Sequence, residues 1–336
     1  MNVQKIFHLT HFKLSFVGIA LGLLLCEGAI RCLGVAPRVA FLSERGYRLS
    51  RNPSLGYEPV PHSQYLTDLL NDIGMRDVTH PIKKLPGVKR LAVLGDSISM
   101  GLGIANRENI YPVVLKKSLV KHDPAIEVIN FSASGYNTMQ EVSFLSEYGV
   151  RYQPDLVLLQ YCMNDTLRHD GQIFENLLAL EKGEHGLSQQ RISRWLGWSH
   201  LYRLLRFRLF PVEDDTKSLD QSFVALGQNT VIDAFSRLHS LAQQHHFEVV
   251  VAIFPYLDQL SDYRSFSEHS WVTKAASEKG FKVIDLLPLF IECEKSENQR
   301  IFLDSLHPNE IGHRCIGRKM GDELVARALL KPRYDR

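Results

Sequence analysis

Five runs of aliphatic residues recur along the chain, at Arg90–Leu94, Glu127–Phe131, Asp155–Gln160, Glu248–Phe254 and Lys282–Leu286. Short, nearly continuous apolar runs are the pattern of strands buried on both faces. Between them apolar positions repeat with helical period, so the pattern predicts a parallel sheet covered by helices on both sides. The last helix is expected over Asn309–Leu330, through Ile311, Cys315, Ile316, Met320, Leu324 and Ala328, with Pro308 in its first turn. From Thr166 to about Asn229 nothing reads as strand. Within that stretch Ser188–Phe210 predicts a helix, with Ile192, Trp195, Leu196, Leu205 and Leu209 on one side and Arg191, Arg194, Arg203, Arg206 and Arg208 largely elsewhere. The reading favoured is a helix docked on the domain with a solvated basic face; a lid and a contact with lipid headgroups stay open.

The N-terminal pattern is different. Leu14–Cys26 is uncharged, and Leu14–Val35 supplies 22 mainly apolar residues, where a membrane-spanning helix needs roughly 20. Glu27 and Arg31 lie four apart and can pair on one helix face, with Arg31 reaching toward the interface. A signal anchor follows, in competition with a cleaved signal peptide, a lipid-modified Cys26 and an ordinary buried helix. Gly34-Val35-Ala36 before Pro37 is a poor cleavage site, and Leu25 is too large to precede a lipidated cysteine. Lys5 and Lys13 precede the segment while Arg38, Arg45, Arg48 and Arg51 follow it, a count that opposes an outward C-terminus. From Pro37 to Pro86 the chain is rich in Pro, Gly and Asn, and an irregular arm is expected. The chain therefore divides into an anchor (1–36), an arm packed on the catalytic domain (37–87) and an α/β domain (88–332) with a helical insertion at about 166–229.

Composition narrows the class. With 45% hydrophobic residues in 336, the chain can bury a large core, and 39 basic against 37 acidic residues give no field for nucleic acid. No nucleic-acid partner is expected. Cys26, Cys32, Cys162, Cys293 and Cys315 form neither a dense framework nor a CxxC pair, so neither disulfide stapling nor a structural zinc is expected.

Reactive groups of an open parallel sheet gather at the carboxyl ends of its strands. Here those ends read Gly95-Asp96-Ser97-Ile98-Ser99, then Asn130-Phe131-Ser132-Ala133-Ser134-Gly135, then Tyr161-Cys162-Met163-Asn164-Asp165, with Asp304 and His307 after the fifth strand. A serine nucleophile needs a base to take its proton and a third group to fix the base's tautomer. Ser97, on a strand-to-helix turn, is the candidate nucleophile, His307 the base and Asp304 its orienting carboxylate. Gly135 can bring a backbone N–H close to a substrate, and Asn164 offers an amide donor for an oxyanion. Asp96 and Asp165 are read as carboxylates that cap helices or hold turns.

These fragments, GDSIS at 95–99, ASG at 133–135, ND at 164–165 and DSLHP at 304–308, resemble the four blocks of the SGNH hydrolases, also called the GDSL esterase/lipase family, in family order over about residues 88–330. The resemblance implies a three-layer α/β/α, flavodoxin-like fold with a central parallel five-stranded sheet, here preceded by a transmembrane helix. It also implies Ser97, Asp304 and His307 as the catalytic triad and an oxyanion hole of the Ser97 and Gly135 amides with Asn164. No metal or cofactor is implied. Cys162 stands where the third block usually has glycine, and as a small hydrophobe it is expected to pack into the core. The anchor, the arm sequence Asn71-Asp72-Ile73-Gly74-Met75-Arg76-Asp77 and Ser99–Ile104 are similar to bacterial membrane-anchored SGNH proteins, which implies an extracytoplasmic (periplasmic) catalytic domain despite the arginine count. The implied activity is ester hydrolysis on an acylated small molecule or polysaccharide, with O-acyl groups of envelope or exported carbohydrate as the substrate that the setting and the family suggest, while lipid esters and thioesters stay open. O-acyl transfer by the same triad and a catalytically inactive glycan-binding domain remain the alternatives. A nucleotide site is disfavoured because Gly95, Gly101 and Gly103 do not form GxGxxG; an α/β-hydrolase would need GxSxG, and a zinc hydrolase HExxH.

Overall fold

The computed structural model describes residues 3–35, 46–166, 199–209 and 221–330. In chain order its elements are α1 (Val3–Leu33), β1 (Tyr47–Leu49), β2 (Tyr57–Pro59), β3 (Gln64–Tyr65), β4 (Asp68–Leu69), β5 (Lys89–Gly95), α2 (Ser97–Met100), α3 (Tyr111–His122), β6 (Ile126–Ser132), α4 (Thr138–Glu147) and β7 (Leu156–Cys162). They continue with α5 (His200–Leu209), α6 (Gln221–His245), β8 (Glu248–Phe254), α7 (Phe266–Glu278), β9 (Lys282–Asp285), α8 (Leu287–Glu297) and α9 (Glu310–Ala326). The chain forms two compact units, one from Met1–Arg45 with Asn176–Ser218, the other from Gly46–Glu175 with Leu219–Arg336.

In the first unit, α1 over Lys13–Leu33 has a mean hydropathy of 1.9 and is long and apolar enough to cross a membrane. Its leucines are exposed, unlike those of a buried core helix. Arg31 donates to Glu27 across one turn at 2.7 Å, the pair expected from their spacing. Glu27 also accepts from the backbone N–H groups of His200 and Leu201 and from the Ser199 hydroxyl. Those amides at the start of α5 have no intrahelical acceptor, so a carboxylate from α1 caps α5. Of the helix expected over Ser188–Phe210, residues 188–198, including Trp195 and Trp198, and Phe210 lie outside the described residues, as do Ala36 at the end of the anchor and arm residues 37–45.

The second unit is built on a five-stranded sheet in the order β6-β5-β7-β8-β9, every pairing parallel. In sequence order this is 2-1-3-4-5, the flavodoxin-like arrangement, with its switch point between β5 and β7. β7 is buried along its whole length and β5 in all but its first residue, because α3, α8 and α9 cover one face while α4 and α6 cover the other. Leu91, Val93, Leu156, Leu158 and Val250 share the core of the first face with Tyr111, Phe290, Ile316 and Met320. On the second, Phe131 of β6 packs against Phe144 of α4 with ring centroids 6.1 Å apart.

Two expectations need correcting. Cys293 of α8 and Cys315 of α9 are joined in a disulfide; their wide spacing hid it, since two packed helices of the tertiary fold bring the sulfurs together. Pro308 is not in the first turn of α9: Asn309 is the N-cap, accepting from Ile311 and Gly312 N–H, and Pro308 instead bridges Phe302. The arm carries two small antiparallel ribbons, β1–β2 and β3–β4. Strands of two or three residues leave little periodicity to read.

Candidate active site

β5 ends at Gly95, and the chain turns at once into α2, whose first residue is Ser97. Asp96 caps that helix, its Oδ1 accepting from Ile98 N at 2.8 Å. Gln160, wholly buried in β7, locks the turn from below: its Nε2 donates to Asp96 Oδ1 at 2.8 Å, and its Oε1 accepts from the Ser99 N–H and hydroxyl. The Tyr111 hydroxyl bonds Ser99 Oγ from the other side. A Cβ on Gly95 would collide with Ser99 Oγ and Gln160 Oε1, so only glycine permits this packing.

Ser97 Oγ lies 2.8 Å from His307 Nε2. The other ring nitrogen, Nδ1, lies 2.8 and 2.9 Å from the two oxygens of Asp304. Asp304 also accepts from the backbone N–H of Leu306 and of His307, which curls the 304–307 loop back on itself. Partial burial raises the carboxyl's pKa, but the two N–H bonds, the imidazole bond and the imidazole charge outweigh it and hold Asp304 below the usual carboxylate value. The loop is pinned at both ends, by Leu257 N–H to Ser305 C=O at 2.7 Å and by Leu303 N–H to His307 C=O at 2.8 Å. The imidazole is 12% exposed and the Asp304 side chain 57%, so the carboxylate faces solvent.

The turns after β6 and β7 flank Ser97. β6 pairs with β5 up to Gly95–Ser132, and Ala133 N–H donates to Gly95 C=O, which sets residues 133–135 beside the Ser97 turn. Gly135 adopts φ +79°, a left-handed conformation. β7 pairs with the opposite edge of β5 and leads into Asn164. Asp165 accepts from the Thr138 hydroxyl at 2.5 Å, tying this turn to α4. Cys162 is 1% exposed and belongs to the core, where the sequence put it. Beneath these turns Glu141 is wholly buried; burial first, then Asp165 and Asp96, push its pKa well above the usual range. Among the described residues no three His, Cys, Asp or Glu side chains converge so as to hold a metal ion.

Several residues around the site were not singled out from the sequence. Arg76, in the arm, is completely buried and donates to the carbonyls of Met100, the last residue of α2, and of Gly101, Ile104 and Ala105 on the turn that follows it. Asp68 neutralises it at 2.7 Å. Tyr47 and Tyr57, on the β1–β2 ribbon, bond the main chain of Ser134. Gln160 had a signal available, a lone amide in an otherwise apolar strand. Arg76 had a weaker one, a charge among the turn residues of Asn71–Asp77.

A parallel five-stranded α/β/α sheet with a serine, a histidine and an aspartate joined at its carboxyl edge defines an SGNH-type hydrolase architecture. The model of the GDSL-like lipase/acylhydrolase family matches residues 93–315, and the chain belongs to that family. An arylesterase from Vibrio mimicus is 38% identical over 80 residues, covering 24% of this chain. The match spans 40% of that relative's length. Among solved structures, the chain is similar to a lipolytic G-D-S-L family member from Veillonella parvula (16% identity, 71% of this chain and 100% of the other, TM-score 0.44). It is also similar to an acetylxylan esterase from Geobacillus stearothermophilus (17% identity, 72% and 96% coverage, TM-score 0.42).

Proposed function

We propose that the chain is a membrane-anchored serine esterase. Ser97 Oγ attacks the ester carbonyl while His307 Nε2 takes its proton, and Asp304 holds the imidazole with Nδ1 protonated and balances the imidazolium. The tetrahedral oxyanion accepts hydrogen bonds from the Ser97 and Gly135 amides and the Asn164 side chain. His307 returns the proton to the leaving alcohol; water activated by the same imidazole then releases the acid from the acyl-enzyme. The observation that carries this reading is the unbroken line from Ser97 Oγ through His307 to Asp304, with every step at 2.8–2.9 Å.

The substrate is an O-acyl group, such as acetyl, on envelope or exported carbohydrate, and the catalytic unit lies outside the cytoplasm. Two features support that setting: the exposed apolar helix α1 and the Cys293–Cys315 disulfide, a bond that persists in oxidising compartments and is rare in the cytosol.

The test uses the full chain in detergent micelles, with fluorophosphonate labelling and release of p-nitrophenol from its acetate. Both signals should vanish in Ser97→Ala and His307→Ala, and Asn164→Ala should fold but lose about 10²–10³ in turnover. A folded wild-type chain that neither labels nor hydrolyses, or a Ser97→Ala chain that still does, refutes the assignment. Hydrolysis lost in Ser97→Ala then justifies assaying acetylated glycans for acid release against transfer to a sugar acceptor.

A further inference from the structure

Residues Ala133–Tyr136 form a β-turn, closed by Tyr136 N–H donating to Ala133 C=O at 3.2 Å. Gly135, its third residue, has φ +79°, and Ser134, its second, is not among the residues of positive φ. That combination is a type II turn; in type I the third residue has φ near −90°. The two types differ by a flip of the central peptide, here the one between Ser134 and Gly135. A trans peptide is planar with C=O and N–H antiparallel, so whatever holds the Ser134 carbonyl also aims the Gly135 N–H. Glycine permits both orientations. Something outside the turn must choose between them.

The Tyr57 hydroxyl makes that choice available. It donates to Ser134 C=O at 3.1 Å. Tyr57 is 1% exposed on the β1–β2 ribbon, and its ring is wedged edge-on between Tyr47 (centroids 5.4 Å) and Tyr136 (5.3 Å). The Tyr136 hydroxyl donates back to Tyr57 C=O at 2.9 Å, so the donor is itself fixed. Tyr47 holds a different peptide, its hydroxyl accepting from Ser134 N–H at 3.0 Å.

We propose that Tyr57 is a positioning residue for ester hydrolysis: by holding the Ser134 carbonyl it keeps the turn in its type II form and the Gly135 N–H directed at the developing oxyanion. Flipping the peptide would put a carbonyl oxygen where the donor belongs and repel the oxyanion. The inference rests on the reading of Gly135 as an oxyanion donor. It assigns a catalytic purpose to the arm, which the four sequence blocks do not include.

The test compares Tyr57→Phe, Tyr47→Phe and Asn164→Ala in the full chain, measuring kcat and KM for p-nitrophenyl acetate, inhibition by methylboronic acid as a tetrahedral mimic, and the melting temperature. Tyr57→Phe keeps the ring packing and should lose about tenfold in kcat, less than the ~10²–10³ of deleting a donor outright. KM should stay unchanged, and boronate affinity should weaken by the same factor as kcat. Tyr47→Phe, which loses an equally buried bond from a neighbouring peptide, should keep kcat within about twofold. Replacing Tyr57 by 3-fluorotyrosine, a stronger donor of the same shape, should preserve kcat; a drop there overturns the inference even if Tyr57→Phe does not fold. Wild-type kcat in Tyr57→Phe beside a crippled Asn164→Ala overturns the role of Tyr57 alone. Equal losses in Tyr57→Phe and Tyr47→Phe also overturn it, since the ribbon would then act only as a support. Full turnover in Asn164→Ala removes Asn164 from the hole, and full turnover in Tyr57→Phe beside it refutes the oxyanion reading together with this inference.

Discussion

Arg76→Lys isolates the clamp that the arm places on the turn carrying Ser97. The guanidinium donates to four backbone carbonyls at 2.7–3.1 Å and to Asp68 at 2.8 Å. Two of those carbonyls, Met100 and Gly101, lie at the end of the helix that Ser97 begins, and Gly101 C=O also accepts from Ile104 N–H at 3.1 Å. Lysine keeps the charge and one contact with Asp68. Its donors, however, radiate from a single nitrogen and cannot span carbonyls on both sides of the turn. Breaking a buried ion pair outright costs about 3–5 kcal/mol, and each hydrogen bond to a charged group contributes about 1.5–3 kcal/mol without adding independently. Retaining the charge while losing most of the carbonyl bonds gives roughly 2–4 kcal/mol. For a domain of more than 200 residues that is a fall of about 4–16 °C in melting temperature. Turnover measured well below the melting point should drop about tenfold, because a turn freed at Met100–Ala105 displaces Ser97 relative to His307 and small misplacements of reacting groups are expensive. Circular-dichroism melts and p-nitrophenyl acetate turnover on the same preparation check both numbers. Wild-type melting temperature and turnover in Arg76→Lys would refute the clamp.

The disulfide closes a separation of 22 residues, for which restriction of the unfolded chain contributes roughly 3 kcal/mol. Reductant, or Cys293→Ala with Cys315→Ala, should therefore lower the melting temperature by about 6–12 °C, and a melt indifferent to reductant would mean the bond is not formed. His313 is fully buried with Nδ1 accepting from Tyr111 N–H. Burial, aided by the charges of His307 and Arg76, pushes its pKa down from 6.5 to about 3. On acidification the unfolded chain takes up a proton near 6.5 that the folded chain refuses until about 3. This histidine's contribution to stability is thus intact above that window and lost progressively as pH falls through it. His313→Gln should flatten the dependence of melting temperature on pH across the same window, and an unchanged slope would place the acid sensitivity elsewhere.

What the sequence by itself determined is local. Short apolar strands and periodic helices announce a parallel sheet because burial on both faces leaves a pattern within a few neighbouring residues, and β5 to β9 stand within two residues of their expected bounds. The motif residues Ser97, Gly135 and Asn164 were legible for the same reason: each follows within three residues of a strand end, and an open sheet gathers such ends at one edge, whereas Asp304 and His307 lie in the loop between α8 and α9. The pairing of Glu27 with Arg31 followed from one helical turn. Contacts closed over long separations left no such trace. Cys293 and Cys315 looked too far apart until α8 packed on α9, and Glu27 gave no sign that it caps a helix more than 170 residues away. The arm read as irregular because its strands are too short for periodicity. Only the folded chain brings Arg76 onto the turn after Ser97 and Tyr57 onto the peptide before Gly135. A buried guanidinium or phenol hydroxyl must find its partners wherever the fold delivers them, and the sequence around such a residue does not record where those partners lie.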